Sequence, residues 1–296
     1  MQVKILQTTG TGEFTETVWD KPDIGPDEIE VRAVMTGVCR SDVDMMQGHF
    51  GPLPIHMQGH EGLGQVTQVG ANIIDVSVGD YVATRGEPAY ADYYNAKQDT
   101  YVAVPEPHQR YILEPVACGI NVVMQSIRDM AERTGPGTSL LIKGSGFLSW
   151  VAYHTIFANH LAFDTVDVLG SHNLDLWGDK LLFGTSQDYD VVIDLGNDTE
   201  HSNLKENGLL VQAASKHPPV QTSYEYLLWR AATVIFPSPR NKNFIQCMHM
   251  AERWISSGDL MVDSFWTRGY QRSNWRQAFS DAANRPDNYS RGYIVW

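Results

Sequence analysis

The chain has 296 residues, 43% of them hydrophobic, and a formal net charge of -13 from 22 Lys and Arg against 35 Asp and Glu. That length allows one large domain or two ordinary ones with packed cores. The dispersed acidity argues against nucleic acid or an anionic membrane as the main partner, and no apolar run approaches the length of a bilayer span. Three cysteines, Cys39, Cys118 and Cys247, form no CxxC pair, which fits a reducing compartment without disulfides. Met1-Gln2-Val3-Lys4-Ile5-Leu6 lacks the charged-then-apolar pattern of a signal peptide, so a soluble, cytoplasmic protein is expected.

Residues 3–6, 15–18 and 29–34 read as short strands, with Val31 and Ala33 alternating with Arg32 in a half-buried pattern. Residues 20–27, with Pro22, Gly25 and Pro26, form a turn segment. Then comes Gly37-Val38-Cys39-Arg40-Ser41-Asp42, followed by a loop carrying Gly48, Gly51, Pro52 and Pro54, and by Gly59-His60-Glu61-Gly62-Leu63-Gly64 with a valine-containing run to Gly70. Cys39, His60 and Glu61 offer a thiolate, an imidazole and a carboxylate, the three side-chain types that bind zinc well. A single cysteine is more often a small buried hydrophobe, and a loop His-Glu pair usually lies on the surface. Cys39 and His60 are too far apart for one helical turn, so a shared site needs the Gly- and Pro-rich loop to fold back. Residues 64–69 and 81–84 add strands around the Val78-Gly79-Asp80 turn. Many short strands between Gly and Pro suggest a β-barrel-like first domain.

Gly-Val-Cys-Arg-Ser-Asp followed by Gly-His-Glu-x-x-Gly and Gly70 resembles the zinc-dependent medium-chain dehydrogenases, the alcohol, sorbitol and threonine dehydrogenase group. The resemblance implies a GroES-like barrel carrying one catalytic zinc, held by Cys39, His60 and either Glu61 or Glu114. Family members often insert a four-cysteine lobe after the 81–84 strand. Here Arg85-Gly86-Glu87-Pro88-Ala89-Tyr90-Ala91-Asp92-Tyr93 contains no cysteine, so a second, structural zinc is not expected. Tyr90 to Tyr93 reads as the short strand after that lobe. Glu114 precedes Pro115, which opens a helix expected to run to about Arg133. A capping carboxylate explains Glu114 equally well, but the Glu-Pro pair resembles sorbitol and threonine dehydrogenases in which this Glu faces the zinc. By the same resemblance Ser41 hydrogen-bonds the zinc-bound oxygen and begins a proton relay. Asp42 fixes a ligand orientation or caps the loop, and His49 is the nearest histidine able to finish the relay. Arg40 is a candidate contact for cofactor phosphate.

Ser139-Leu140-Leu141-Ile142-Lys143 is an apolar strand, followed by Gly144-Ser145-Gly146-Phe147-Leu148-Ser149 and a helix over 150–160. Strand, glycine turn and helix is the context of a dinucleotide fingerprint, with backbone N–H groups at the helix start facing pyrophosphate. Ser149 replaces the third glycine. After the strand at 165–169, Gly170 stands where NAD-binding members carry an acidic residue, and Ser171 and His172 follow, with Lys180 further on. This resembles NADP-using members, without their usual Arg. Gly196 ends the strand 189–194, and such a strand end lies over the cofactor. Asn207-Gly208 reads as a turn before a strand at 209–213. Helices are expected at 224–232, 244–255 and 275–283, with a closing strand at 293–296. The short segments 172–187 and 197–207 suggest a shortened nucleotide domain.

The expected fold class is α/β: a GroES-like β-barrel catalytic domain at 1–117, completed by 265–296, plus a shortened Rossmann-type doubly wound nucleotide-binding domain at 118–264. The expected activity is zinc-dependent hydride transfer between NADP or NAD and an alcohol, a polyol or the matching aldehyde or ketone, in a homodimer. The alternatives are a zinc-free quinone-reductase-like enzyme of the same fold and a non-catalytic binding protein derived from it.

Overall fold

The computed structural model describes residues 1–10, 12–51, 58–86, 88–196, 203–214 and 224–296. Pro52 and Pro54 of the expected loop, and much of the 197–207 segment, lie outside these residues. In chain order the first elements are β1 (Gln2–Thr8), β2 (Phe14–Asp20), β3 (Glu28–Val38), α1 (Arg40–Met46), β4 (Gly62–Val69), β5 (Tyr81–Thr84), β6 (Tyr93–Lys97) and β7 (Tyr101–Val104). Next come α2 (Glu114–Met124), α3 (Ile127–Ala131), β8 (Gly135–Lys143), α4 (Phe147–Ala158), β9 (Phe163–Leu169), α5 (Leu174–Trp177), β10 (Leu181–Leu182), β11 (Tyr189–Asp194) and β12 (Leu204–Gln212). The last are α6 (Tyr224–Trp229), β13 (Thr233–Ile235), α7 (Phe244–Ser257), β14 (Trp266–Gln271), α8 (Trp275–Asn284) and β15 (Arg291–Val295). No helix among the described residues is long and apolar enough to cross a membrane.

Two compact units result, Met1–Ala117 with Ile245–Trp296, and Cys118–Phe244. The chain returns to the first unit at Ile245, where the sequence alone suggests residue 265. The hydrogen bond between Tyr111 Oη and Ser256 Oγ, 3.1 Å, ties α7 to that unit. In the first unit β1 and β2 pair antiparallel, and the larger sheet runs β14-β15-β3-β4-β5-β7 with β6 also on β3. Its core gathers Ile29, Val31, Ala33, Val66, Val82, Tyr94 and Tyr101, while Arg32 faces outward, the period-2 pattern of a half-buried strand. Residues 90–93 do not form a continuous strand: Ala91 makes an isolated bridge with Ile5, and β6 begins at Tyr93.

In the second unit all strands are parallel in the order β10-β9-β8-β11-β12-β13, a doubly wound sheet whose order reverses between β8 and β11. Leu140 and Ile142 belong to one core cluster and Leu141 to another, so β8 is covered on both faces and reads as an unbroken apolar run. The single helix expected to Arg133 is two, α2 and α3. Between them Ser126 Oγ donates back to Val122 O at 2.8 Å, a side-chain bond that competes with the helix ladder. Asn207-Gly208 lies inside β12 rather than before it. Asn207 has φ +59°, and the β11–β12 register shifts across this stretch, so the pair forms a bulge. The expected 150–160 helix starts earlier, at Phe147, behind its N-cap Gly146.

Candidate functional site

Strand register brings the candidate metal ligands together. β3 pairs antiparallel with β4, Thr36 opposite Gly62. The chain leaving β3 through Cys39 therefore lies beside the chain entering β4 through His60 and Glu61. One ligand atom from each of Cys39, His60 and Glu61 lies within 4.8 Å of the others. Cys39 and His60 are half-buried, and Glu61 is fully buried. Burial pushes the His60 pKa down, but the Asp42 and Glu114 carboxylates and Cys39 outweigh it and hold the imidazole well above its ordinary value. The pocket thus favours positive charge.

Asp42 is the third residue of α1. Its Oδ2 accepts the Cys39 N–H at 2.7 Å, and its Oδ1 stands 3.7 Å from His60 Nδ1. Oδ1 is buried and lacks a hydrogen-bond partner among the described residues. A metal-bound histidine usually presents its second ring N–H to such an acceptor. The thiolate–imidazole–carboxylate donor set and the orphaned Asp42 oxygen both fit zinc. Glu114 is buried in the first turn of α2 and acts on His60 electrostatically, although it is not in the clustered set.

Sequence reasoning missed Arg291. Its Nη2 donates to both Glu61 oxygens at 2.5 Å, and the Glu61 side chain is fully buried. Burial opposes charge on Arg291, but Glu61 and Cys39 keep the guanidinium above its ordinary pKa. Arg291 arrives through β15, which pairs with β3 so that Gly292 faces Val38. A Cβ on Gly37 would collide with Glu61 Oε2, so the strand end must be glycine there.

The relay candidates are placed less tightly. Ser41 is half-buried at the second position of α1. His49 Nδ1 lies 3.6 Å from Asp44 Oδ1, and Arg40 Nε lies 3.5 Å from the same oxygen, so one carboxylate gathers both.

In the second unit Gly144, with φ +105°, makes the turn out of β8, and Gly146 caps α4. Phe147 and Leu148 therefore begin the helix. Gly196, just past β11, donates its N–H to Asp194 Oδ1 at 3.1 Å. Ser145 organises the adjoining loop. Its Oγ accepts the His172 N–H at 3.0 Å, and its carbonyl accepts from Asn173 Nδ2 at 2.9 Å and Trp177 Nε1 at 3.1 Å. A Cβ on Gly170 would collide with Ser145 Oγ and reach 2.9 Å from Ser145 N. Glycine at 170 thus has a packing cause, independent of cofactor choice. Ser171 and His172 are exposed, with Ser171 Oγ 3.2 Å from His172 Nδ1. Lys180 Nζ lies 4.0 Å from Asp179 Oδ1.

Residues 25–111 match the alcohol dehydrogenase GroES-like domain. An alcohol dehydrogenase of Moraxella sp. is 26% identical over 199 residues, covering 57% of this chain and 58% of that protein. A sorbitol dehydrogenase of Halalkalibacterium halodurans is 23% identical over 172 residues, covering 46% and 50%. The chain spans about half the length of the curated relatives it matches. The fold matches that of zinc dependent alcohol dehydrogenase 2 from Streptococcus pneumonia, with a TM-score of 0.79, 18% identity, and coverage of 100% of this chain and 98% of that one. Residues 25–111 thus carry an alcohol dehydrogenase GroES-like domain, and the chain as a whole shares the fold of an alcohol dehydrogenase.

Proposed function

We propose that the protein is a zinc-dependent oxidoreductase moving a hydride between a nicotinamide cofactor and an alcohol or polyol, or the matching carbonyl compound. The convergence of Cys39, His60 and Glu61 carries this reading. Cys39 and His60 hold the metal, with Glu61 or Glu114 as the third protein ligand. When bound, zinc supplies Lewis-acid polarisation of the substrate oxygen, and the nicotinamide supplies hydride exchange. Asp42 orients His60, and Arg291 offsets the charge of Glu61. Ser41 takes up the hydroxyl proton and begins its passage outward, with His49 as the later station. Gly144, Gly146 and the N–H groups of Phe147 and Leu148 receive the pyrophosphate at the start of the 12-residue α4. Gly196 leaves room above β11, and Arg40 supplies a phosphate contact. None of Cys39, Cys118 and Cys247 is in a disulfide, in keeping with a cytoplasmic setting.

A screen of alcohols, polyols and aldehydes with both nicotinamide cofactors tests the activity. Among the described residues, only the four-residue α5 and a 3-10 turn lie between β9 and β10. That short crossover favours, as a second reading, a binding protein derived from the enzyme. Zinc-loaded protein that turns over no substrate and binds neither cofactor would support it.

NADP(H) is expected to bind more tightly than NAD(H), because no carboxylate follows β9 and Ser171, His172 and Lys180 can meet a 2′-phosphate. The preference should be modest, since no Arg makes a bidentate contact, and should weaken with salt. Gly170→Asp would confound the test by colliding with Ser145. Ser171→Asp, at an exposed position, adds the carboxylate cleanly and should shift the choice to NAD(H). Paired NADPH and NADH fluorescence titrations decide it, and tighter NADH binding by the wild type would refute the preference.

A homodimer is expected as well. β13 ends the second unit's sheet, and Phe236 just beyond it is 71% exposed, an edge that needs cover. Light scattering showing a monomer at micromolar concentration counts against it.

A further inference from the structure

We propose that Tyr90 is the positioning residue that sets the geometry of Cys39, His60 and Glu61, an inference resting on the metal-site reading above. Tyr90 is fully buried. Its hydroxyl donates to Asp42 Oδ2 at 2.6 Å, with the Gly37 carbonyl oxygen 3.1 Å away. The same Asp42 oxygen accepts the Cys39 N–H, while the other faces His60 Nδ1. Two donors on one oxygen fix the plane of the carboxylate and aim its free oxygen at the imidazole.

The ring of Tyr90 governs the other ligand-bearing segment. Gly59, immediately before His60, has φ +74° and packs onto the ring. A Cβ there would come within 2.6 Å of Tyr90 Cγ. Gly59 O also accepts the Ala89 N–H at 3.0 Å. The end of β3, the start of α1 and the approach to β4 therefore converge on one side chain.

That side chain is itself held rigidly. Phe14 and Phe279 meet its ring edge-on, with centroids at 5.8 and 5.4 Å, and stack on each other at 4.0 Å. Its carbonyl accepts the Leu6 N–H at 2.8 Å. A wedged ring gives the hydroxyl one direction, which is the support a preorganised metal site needs.

Tyr90→Phe keeps the wedge and removes the hydroxyl. Zinc affinity, measured by competition with a chromophoric chelator, should fall by roughly 10–100-fold, the usual effect of losing an outer hydrogen-bond partner. The absorption bands of the cobalt-substituted protein should shift. Tyr101→Phe is the control. It removes the hydroxyl of another buried tyrosine in the same unit, which donates to the exposed Asp75 Oδ1 at 2.8 Å. It should keep wild-type zinc affinity and cobalt bands. Asp42→Asn should weaken zinc as Tyr90→Phe does, and the two losses should be non-additive, because Tyr90 acts through Asp42. Wild-type zinc affinity and cobalt bands in Tyr90→Phe, an equal zinc loss in Tyr101→Phe, or additive losses overturn the inference alone. A wild-type protein that binds no zinc overturns it together with the metal-site reading.

Discussion

Protein purified without chelator is expected to carry one zinc ion per chain, and the Cys39→Ser/His60→Ala double variant none. The count of one follows from the donors available. A closed structural site needs four ligands, commonly cysteines, and Cys118 and Cys247 remain as separate residues, Cys247 buried with its thiol pushed up to about 11 by burial. A buried, poorly ionised thiol is a poor zinc ligand. The remaining donor set around Cys39 holds one ion. Losing Cys39 and His60 together leaves only carboxylates, which suit harder cations better. Activity with any alcohol should then fall to background. Elemental analysis decides the question: a stoichiometry near two, or zinc retained by the double variant, is incompatible with the site. Glu61→Gln and Glu114→Gln, analysed the same way, separate the two candidates for the third ligand.

The residues at the centre of this site were legible in the sequence because their chemistry is local. Cys39, His60 and Glu61 announce themselves by type and by the glycines around them, and the strand–glycine–helix order at 139–160 foretold the doubly wound sheet. What the sequence hid depends on register across long separations. Arg291 meets Glu61 across 230 residues only because β15 pairs with β3. Tyr90 looked like one more strand residue, since nothing in its neighbours shows that its hydroxyl reaches Asp42. Gly170 invited a cofactor explanation, yet the loop contact with Ser145 suffices to require it. Asn207-Gly208 misled because the positive φ that suits a hairpin turn equally suits a bulge inside β12.

Replacing Arg291 by Met is expected to destabilise the first unit by about 3–5 kcal/mol, the usual cost of leaving one member of a buried ion pair without the other. Glu61 is 0% exposed, and Arg291 Nη2 donates to both of its carboxylate oxygens. Met fills part of the space left by the guanidinium but offers no donor. The carboxylate would then remain desolvated, with a second buried carboxylate, Asp42, also beside His60. The stacking of Arg291 over the Trp266 ring, 5.0 Å to its centroid, is lost too, a smaller effect. Added salt should recover little, because counterions screen buried charges poorly. The double variant Arg291→Met/Glu61→Leu should recover much of the loss, since a buried pair replaced whole by apolar side chains is often neutral. Urea unfolding of metal-stripped protein measures these effects without the added stability that zinc binding would confer. If Arg291→Met lies within about 1 kcal/mol of wild type, an ordinary surface-pair value, or if the double variant is no more stable than the single one, then the Glu61–Arg291 pair is not what holds this end of β3, β4 and β15 together.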